Sequence, residues 1–174
     1  YQPNDTTDGI LSIVSYYEHV GDRRLLPTAY YYAASAYRDM NKPAAALRYL
    51  YNAIDVAEEY GDVKIMSLCH AQIANLLYMN RLYEEALKSY REALLCDSMR
   101  GNSLGMMFDF RDLACCYSEL GQFDSALCLF NKGLKLAVER GDESMRASIS
   151  AQKARVYRIF QCIINTAIFG CYLT

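Results

Sequence analysis

Four glycines, Gly21, Gly61, Gly101 and Gly141, stand 40 residues apart, and each is followed by an Asp or Asn: Asp22, Asp62, Asn102 and Asp142. A fixed period of this length marks an array in which one supersecondary unit recurs and stacks on its copies. Glycine accepts the left-handed backbone that ends a helix, and an Asp or Asn directly after it begins or caps the next one. The spacing therefore predicts that one helix stops and another starts at every glycine.

Between these marks, further rows keep the same register. Ala34, Ala74, Ala114 and Ala154 form one, with Tyr37, Leu77, Tyr117 and Tyr157 three residues later. Ala46, Ala86 and Ala126 form a third, and Leu50, Tyr90 and Phe130 a fourth. Ala53, Ala93 and Gly133 form a fifth, followed by Ile54, Leu94 and Leu134. In the second repeat Ile65, Leu68, Ile73, Leu76 and Leu77 have helical spacing; beyond a break at Asn80-Arg81-Leu82, so do Tyr83, Ala86, Leu87, Tyr90 and Leu94. The other breaks hold Asn41-Lys42-Pro43 and Gly121-Gln122, where Pro43 suits a first helical turn and Gly121 a helix end. Each repeat reads as two amphipathic helices joined by a tight turn. The small rows mark where paired helices come close, and larger side chains there would overpack at about 1–3 kcal/mol.

The order small residue then aromatic on the first helix, and Ala, aromatic, Ala-Leu on the second, resembles the tetratricopeptide repeat family. RDLACCYSELGQFDSALCLFNKGLKL (111–136) and AQIANLLYMNRLYEEALKSYREALL (71–95) carry that order, within a resemblance that covers 28–158. There are departures. The common interval is about 34 residues. Tyr30, His70, Phe110 and Ser150 replace the Trp that often opens the first helix, and Glu58, Ser98 and Val138 stand near the place of the closing Pro. Longer arrays of this kind are similar to those of kinesin light chain and of bacterial sensor and regulatory proteins, the Bacteroidetes type among them. The resemblance implies an all-α fold, a right-handed α-α superhelix (a tetratricopeptide solenoid) of antiparallel helix pairs.

On that basis the chain reads as one solenoid domain over 1–174. Residues 1–7 form a polar lead-in, and 8–20 an N-terminal half repeat, the second helix of an incomplete hairpin. Full hairpins follow at 22–60, 62–100 and 102–140. Residues 142–174 form a degenerate C-terminal repeat or cap. There the expected Ala row falls on Thr166 and the aromatic row on Gly170, so the segment from Ile159 is read as an end helix shielding the last hairpin.

Eighteen basic against 20 acidic residues give a net charge of -2, and the arginines are spread among acids. Nothing in this balance favours nucleic acid or an anionic membrane, and the 16 tyrosines follow core spacing rather than forming a base-stacking platform. The apolar stretch Val156–Leu173 contains Arg158, Gln161 and Asn165, so it reads as a buried or capping helix rather than a bilayer span. Seven cysteines, an odd number set among apolar residues, read as reduced thiols; this favours a cytoplasmic location, with export or membrane anchoring through sequence outside this chain as the alternative.

Chemistry is hard to place. Gly101-Asn102-Ser103-Leu104-Gly105 spells G-x-S-x-G, but the nucleophile elbow needs a preceding strand, and here a helix precedes. His19 and His70 have no companion ligands at metal spacing, Cys115 and Cys116 point about 100° apart on a helix, and no Gly-rich phosphate loop is present. No cofactor, metal or catalytic residue is expected.

The family likeness implies that first helices line the concave groove. Helical steps then place Tyr31, Ser35 and Arg38, next Ala71, Asn75 and Tyr78, next Arg111, Cys115 and Ser118, and last Ala151, Arg155 and Arg158 on the groove line. Tyr31 and Tyr78 offer flat contact surface, Asn75 an amide for a peptide backbone, and Arg111, Arg155 and Arg158 charge-assisted bonds to a carboxylate or acidic segment. Of the Lys/Asn set by which some family members clamp a chaperone's C-terminal carboxylate, only Asn75 matches. The expected function is a scaffold that binds a protein or peptide, or else a sensor region of a larger signalling protein. Self-association through the apolar C-terminal end is a further expectation.

Overall fold

The computed structural model describes residues 3–171, with side-chain surroundings described for 9–162 and 165. The lead-in at residues 1–2 and the apolar end at Leu173 lie outside the described residues, and the register positions Thr166 and Gly170 lie outside those whose side-chain surroundings are described. The elements in order are α1 (Pro3–His19), a single 3-10 turn (Arg23–Leu25), α2 (Leu26–Asp39), α3 (Pro43–Tyr60), α4 (Val63–Met79), α5 (Tyr83–Met99), α6 (Ser103–Glu119), α7 (Phe123–Arg140) and α8 (Glu143–Cys171). No strand occurs among the described residues. The chain forms two compact units, Tyr1–Gly101 and Asn102–Thr174. The first holds α1–α5, with α2 paired to α3 and α4 to α5; the second holds α6 paired to α7, with α8 packed on α7.

The junctions share one geometry. Asn41, Gly61, Arg81, Gly101, Gly121 and Gly141 all have left-handed backbone, with φ between 56° and 72°. The N–H after the left-handed residue reaches back to the carbonyl five residues earlier: Lys42 to Tyr37, Asp62 to Ala57, Leu82 to Leu77, Gln122 to Tyr117 and Asp142 to Ala137. These bonds satisfy helix-end carbonyls that would otherwise lack partners. Asp62 then caps α4 by accepting from the Ile65 N–H at 3.1 Å, and Asp142 caps α8 through the Met145 N–H at 2.9 Å. Asn102 holds the same place before α6 without a capping bond from its side chain. The backbone thus repeats every 20 residues, half the glycine period.

Gly21 departs from the expectation. Its backbone is not left-handed. Glycine fits there because a Cβ would fall 2.5 Å from the Tyr17 ring and 2.8 Å from that of Tyr16, so a larger residue would push those rings aside. Asp22 instead caps the 3-10 turn, accepting from the Arg24 N–H at 3.0 Å. The first helix also begins at Pro3, ahead of the half repeat read from residue 8, since a proline without N–H fits a first helical position.

The small rows are sealed. Ala46, Ala53, Ala74, Ala86, Ala93, Ala114 and Ala126 have no exposed surface. The Leu50, Tyr90 and Phe130 row fills the gaps between them, buried in each case. At Gly133 the approach is tighter still: a Cβ would lie 3.0 Å from Ile149 Cδ1 and 3.5 Å from Phe110 Cβ, so α6 and α8 both close on this point of α7. In the first unit the core gathers Val14, Leu26, Leu50, Ile54, Ile65 and Ile73; in the second, Met107, Phe130, Met145, Ile149 and Val156.

The last helix differs from the sequence reading. No turn interrupts it near Ile159, and α8 continues as one helix to Cys171. Gln161 stands where the 20-residue rhythm would put a left-handed residue, and it is neither Gly nor Asn. As a result Ala154 is exposed and Tyr157 is 51% exposed, although both hold positions that are covered in the other first helices.

Candidate partner-binding faces

In the first unit Tyr31, Ser35 and Arg38 lie on α2, and Asn75 and Tyr78 on α4. All are half-buried except Asn75, which is exposed. Gln72, which the helical steps passed over, ties the two helices together. Arg38 Nη1 donates to Gln72 Oε1 at 2.6 Å, and Gln72 Nε2 reaches the Tyr31 hydroxyl at 3.4 Å. Arg38 also pairs with the neighbouring Asp39 at 2.9 Å. The Ser35 hydroxyl donates to the Tyr31 carbonyl at 3.1 Å, within its own helix. The buried Tyr90 hydroxyl donates to Asn75 Oδ1 at 2.7 Å, which fixes the amide and turns its NH2 group outward as a donor. The Tyr31 ring meets Tyr32 edge-on at 5.6 Å, and Tyr78 meets Tyr83 at 5.3 Å.

In the second unit two of the predicted arginines are countered locally. Arg111 Nε donates to Asp112 Oδ1 at 2.7 Å, and its guanidinium lies 5.1 Å from the centre of the Phe108 ring. Arg155 Nη2 pairs with Glu119 Oε1 at 2.7 Å. Burial pushes the Asp112 carboxyl above its ordinary range, and the Arg111 bond offsets only part of that. Arg158 is exposed. This line therefore offers less uncompensated positive charge than its arginines alone suggest. Cys115 on the same line is half-buried, and burial, then the nearby Asp112, raise its thiol to about 11. The Cys69 and Cys116 thiols, more deeply set, rise to about 12 from burial.

Buried acids escaped the sequence reading. Asp97 occupies the row of Ala57 and Ala137 yet is buried, with Arg100 Nη1 3.1 Å away one helical turn on. Asp109 is buried in α6. The only advance sign was an Asp in a small-residue row.

Ser103 is the first residue of α6 and accepts from Arg140 Nη1 at 2.7 Å, with helix α5 before it, so the G-x-S-x-G string is part of a helix junction. His70 is half-buried in the row of Tyr30 and Phe110, and burial lowers its pKa. Among the described residues no three His, Cys, Asp or Glu side chains are grouped to hold a metal ion, and no helix is long and apolar enough to cross a membrane.

Residues 66–137 match the family model described as tetratricopeptide repeat. No curated protein matches the sequence. Among solved structures, a Signal Transduction ATPase with Numerous Domains with a tetratricopeptide repeat sensor, from Pyrococcus horikoshii, aligns at TM-score 0.78 and 18% identity, covering 90% of this chain and 24% of that one. Aspartyl phosphate phosphatase F of Bacillus subtilis aligns at 0.79 and 15%, covering 99% and 47%. The putative kinesin light chain TPR-like repeats of Podosopora anserina align at 0.69 and 13%, covering 90% and 78%. At such identities the likeness is one of fold, that of the all-α tetratricopeptide solenoid. The chain spans less than half the length of the first two.

Proposed function

We propose that the chain, whose residues 66–137 match the tetratricopeptide repeat model, is an interaction scaffold whose first helices hold a peptide or protein partner. The observation that carries this reading is the state of the polar side chains on those helices. Arg38, Gln72 and Tyr31 are linked from α2 to α4, and Asn75 is held by Tyr90 with its NH2 outward. Side chains fixed in this way lose little further freedom on binding, which favours recognition of a backbone carbonyl or carboxylate. On α6 and α8, Arg111, Arg155 and Arg158 favour an acidic segment, with Arg158 the most accessible of the three.

A display screen of short peptides against the chain, followed by affinities for Asn75→Ala and Arg158→Glu, tests the reading. Losses of about tenfold or more, roughly 1.4 kcal/mol, are expected for acidic ligands. Ligands held equally well by both variants would place the binding surface elsewhere.

A second reading rests on the Pyrococcus neighbour, which has a tetratricopeptide repeat sensor and is much longer than this chain. In it the repeats are the sensor region of a larger signalling protein, and ligand binding shifts an output. Loss of ligand response on deleting these repeats from the whole protein would support it.

A further inference from the structure

The first helix of each hairpin presents one stripe to its own second helix. On α2 it is Tyr30, Ala34 and Tyr37, on α4 His70, Ala74 and Leu77, and on α6 Phe110, Ala114 and Tyr117. In all three the alanine is buried and the flanking residues are at least half-buried. On α8 the same register gives Ser150, Ala154 and Tyr157, and all three are exposed. The stripe keeps its small-then-aromatic order but lacks a covering helix among the described residues. Two further features define what would fit. The bulky position of the stripe faces the small row of the second helix, as Phe110 faces Gly133. Ser150 is small at that position, which leaves room for a large apolar residue on the incoming helix. Charge then narrows the choice: α8 carries Arg146, Lys153, Arg155 and Arg158 against Glu143, and with Glu119 of α6 pairing Arg155 the helix surface keeps a net +2 in a chain whose total is -2. Pairing α8 with α8 of a second copy would bring like charges together, at a cost to the interface.

We infer that the exposed stripe of α8 docks an acidic amphipathic helix of a partner protein, in the manner of a hairpin's second helix, with a small residue over Ala154 and Tyr157 and a large apolar one over Ser150. The interface continues the geometry already built between α6 and α7. Its stripe of Ser150, Ala154 and Tyr157 lies beside the first-helix line, with which it shares the charges of Arg155 and Arg158 but none of its apolar contacts.

Two labelled peptides serve as probes. Residues 83–99 of this chain form a second helix with four acidic and two basic residues, and residues 123–140 one with two acidic and three basic. Both are made with blocked ends and with a leucine at the position that would meet Ser150, Ala93→Leu in one and Gly133→Leu in the other, and both keep the remaining alanine-aromatic stripe. By fluorescence anisotropy with the full 174-residue chain, the acidic peptide should bind and the basic one more weakly, with the difference shrinking in high salt. Ala154→Arg should weaken the acidic peptide by at least about tenfold, and Arg146→Glu should narrow or reverse the preference between the two. Ala154 is exposed, so its substitution leaves the fold intact, which circular dichroism checks. The proposal is overturned if neither peptide binds, or if Ala154→Arg leaves affinity unchanged. It is also overturned if light scattering shows a dimer without peptide that Ala154→Arg dissolves, since the occupant is then a second copy. Ala154 lies off the first-helix line, so a ligand of that line should still bind the Ala154→Arg variant.

Discussion

At single positions the backbone asks more of some residues than their side chains offer. Arg81 adopts a left-handed conformation that its equivalents at 61, 101, 121 and 141 meet with glycine. For a residue with a Cβ this costs about 1–2 kcal/mol, partly returned because glycine gives the unfolded chain more freedom. Arg81→Gly should therefore stabilise the protein by about 0.5–1 kcal/mol, and Gly121→Ala destabilise it by about 1 kcal/mol, both read from urea unfolding midpoints. His70 makes a pH-dependent counterpart. Burial lowers its folded pKa, so the unfolded chain binds its proton more readily. Its contribution is full above the unfolded value of about 6.5 and is lost progressively as pH falls from there through the lowered folded value. His70→Phe, which matches Phe110 in the same row, should flatten that part of the stability profile; an unchanged acid slope would show that another group sets it. Which charges were available was the least legible aspect of the candidate faces. Arg111 and Arg155 are plain in the sequence, but Asp112 beside one and Glu119, a helix away from the other, decide how much of their charge remains.

At the level of helices, packing follows the rows closely, and the closest approach is at Gly133. Replacing it with Ala gains about 1 kcal/mol of helix propensity but sets a methyl 3.0 Å from Ile149 Cδ1. The two effects oppose each other, so Gly133→Ala should be more favourable in an Ile149→Val background than in the wild type, with a coupling of about 0.5–1 kcal/mol in a double-mutant cycle. Independence of the two changes would mean that Ile149 swings aside without cost. The helix pairs themselves were legible because burial acts on spacing: Ala34, Ala74 and Ala114 stand where a larger side chain cannot fit. The junctions were only half legible, because Asn41 and Arg81 do the work of glycine without being glycine. Gly21 misled for the converse reason, being a glycine whose backbone is not left-handed and that lies close under the rings of Tyr16 and Tyr17. The continuous run of α8 could not be read from rows at all, since a helix persists wherever nothing stops it, and Gln161 does not.

At the scale of the whole chain, nothing in an even 40-residue period announces a division, yet the residues gather into two compact units divided in the sequence between Gly101 and Asn102. Leu50 and Phe130 hold equivalent places in separate cores. Leu50→Ala should cost about 2–5 kcal/mol and Phe130→Ala about 3–5 kcal/mol. Their effects should add to within about 0.5 kcal/mol, and hydrogen exchange should show each loosening its own unit first. A marked departure from additivity would mean that the two cores unfold as one. The left-handed residue at every twentieth position carries a last implication. Because Asn41 and Arg81 present the same seam, a second copy of residues 42–81 spliced in after Arg81 meets identical geometry at both joins. Such a chain can lengthen by tandem duplication without inventing a new loop, whereas a helical insertion that is not a multiple of 40 residues would shift later contacts out of phase.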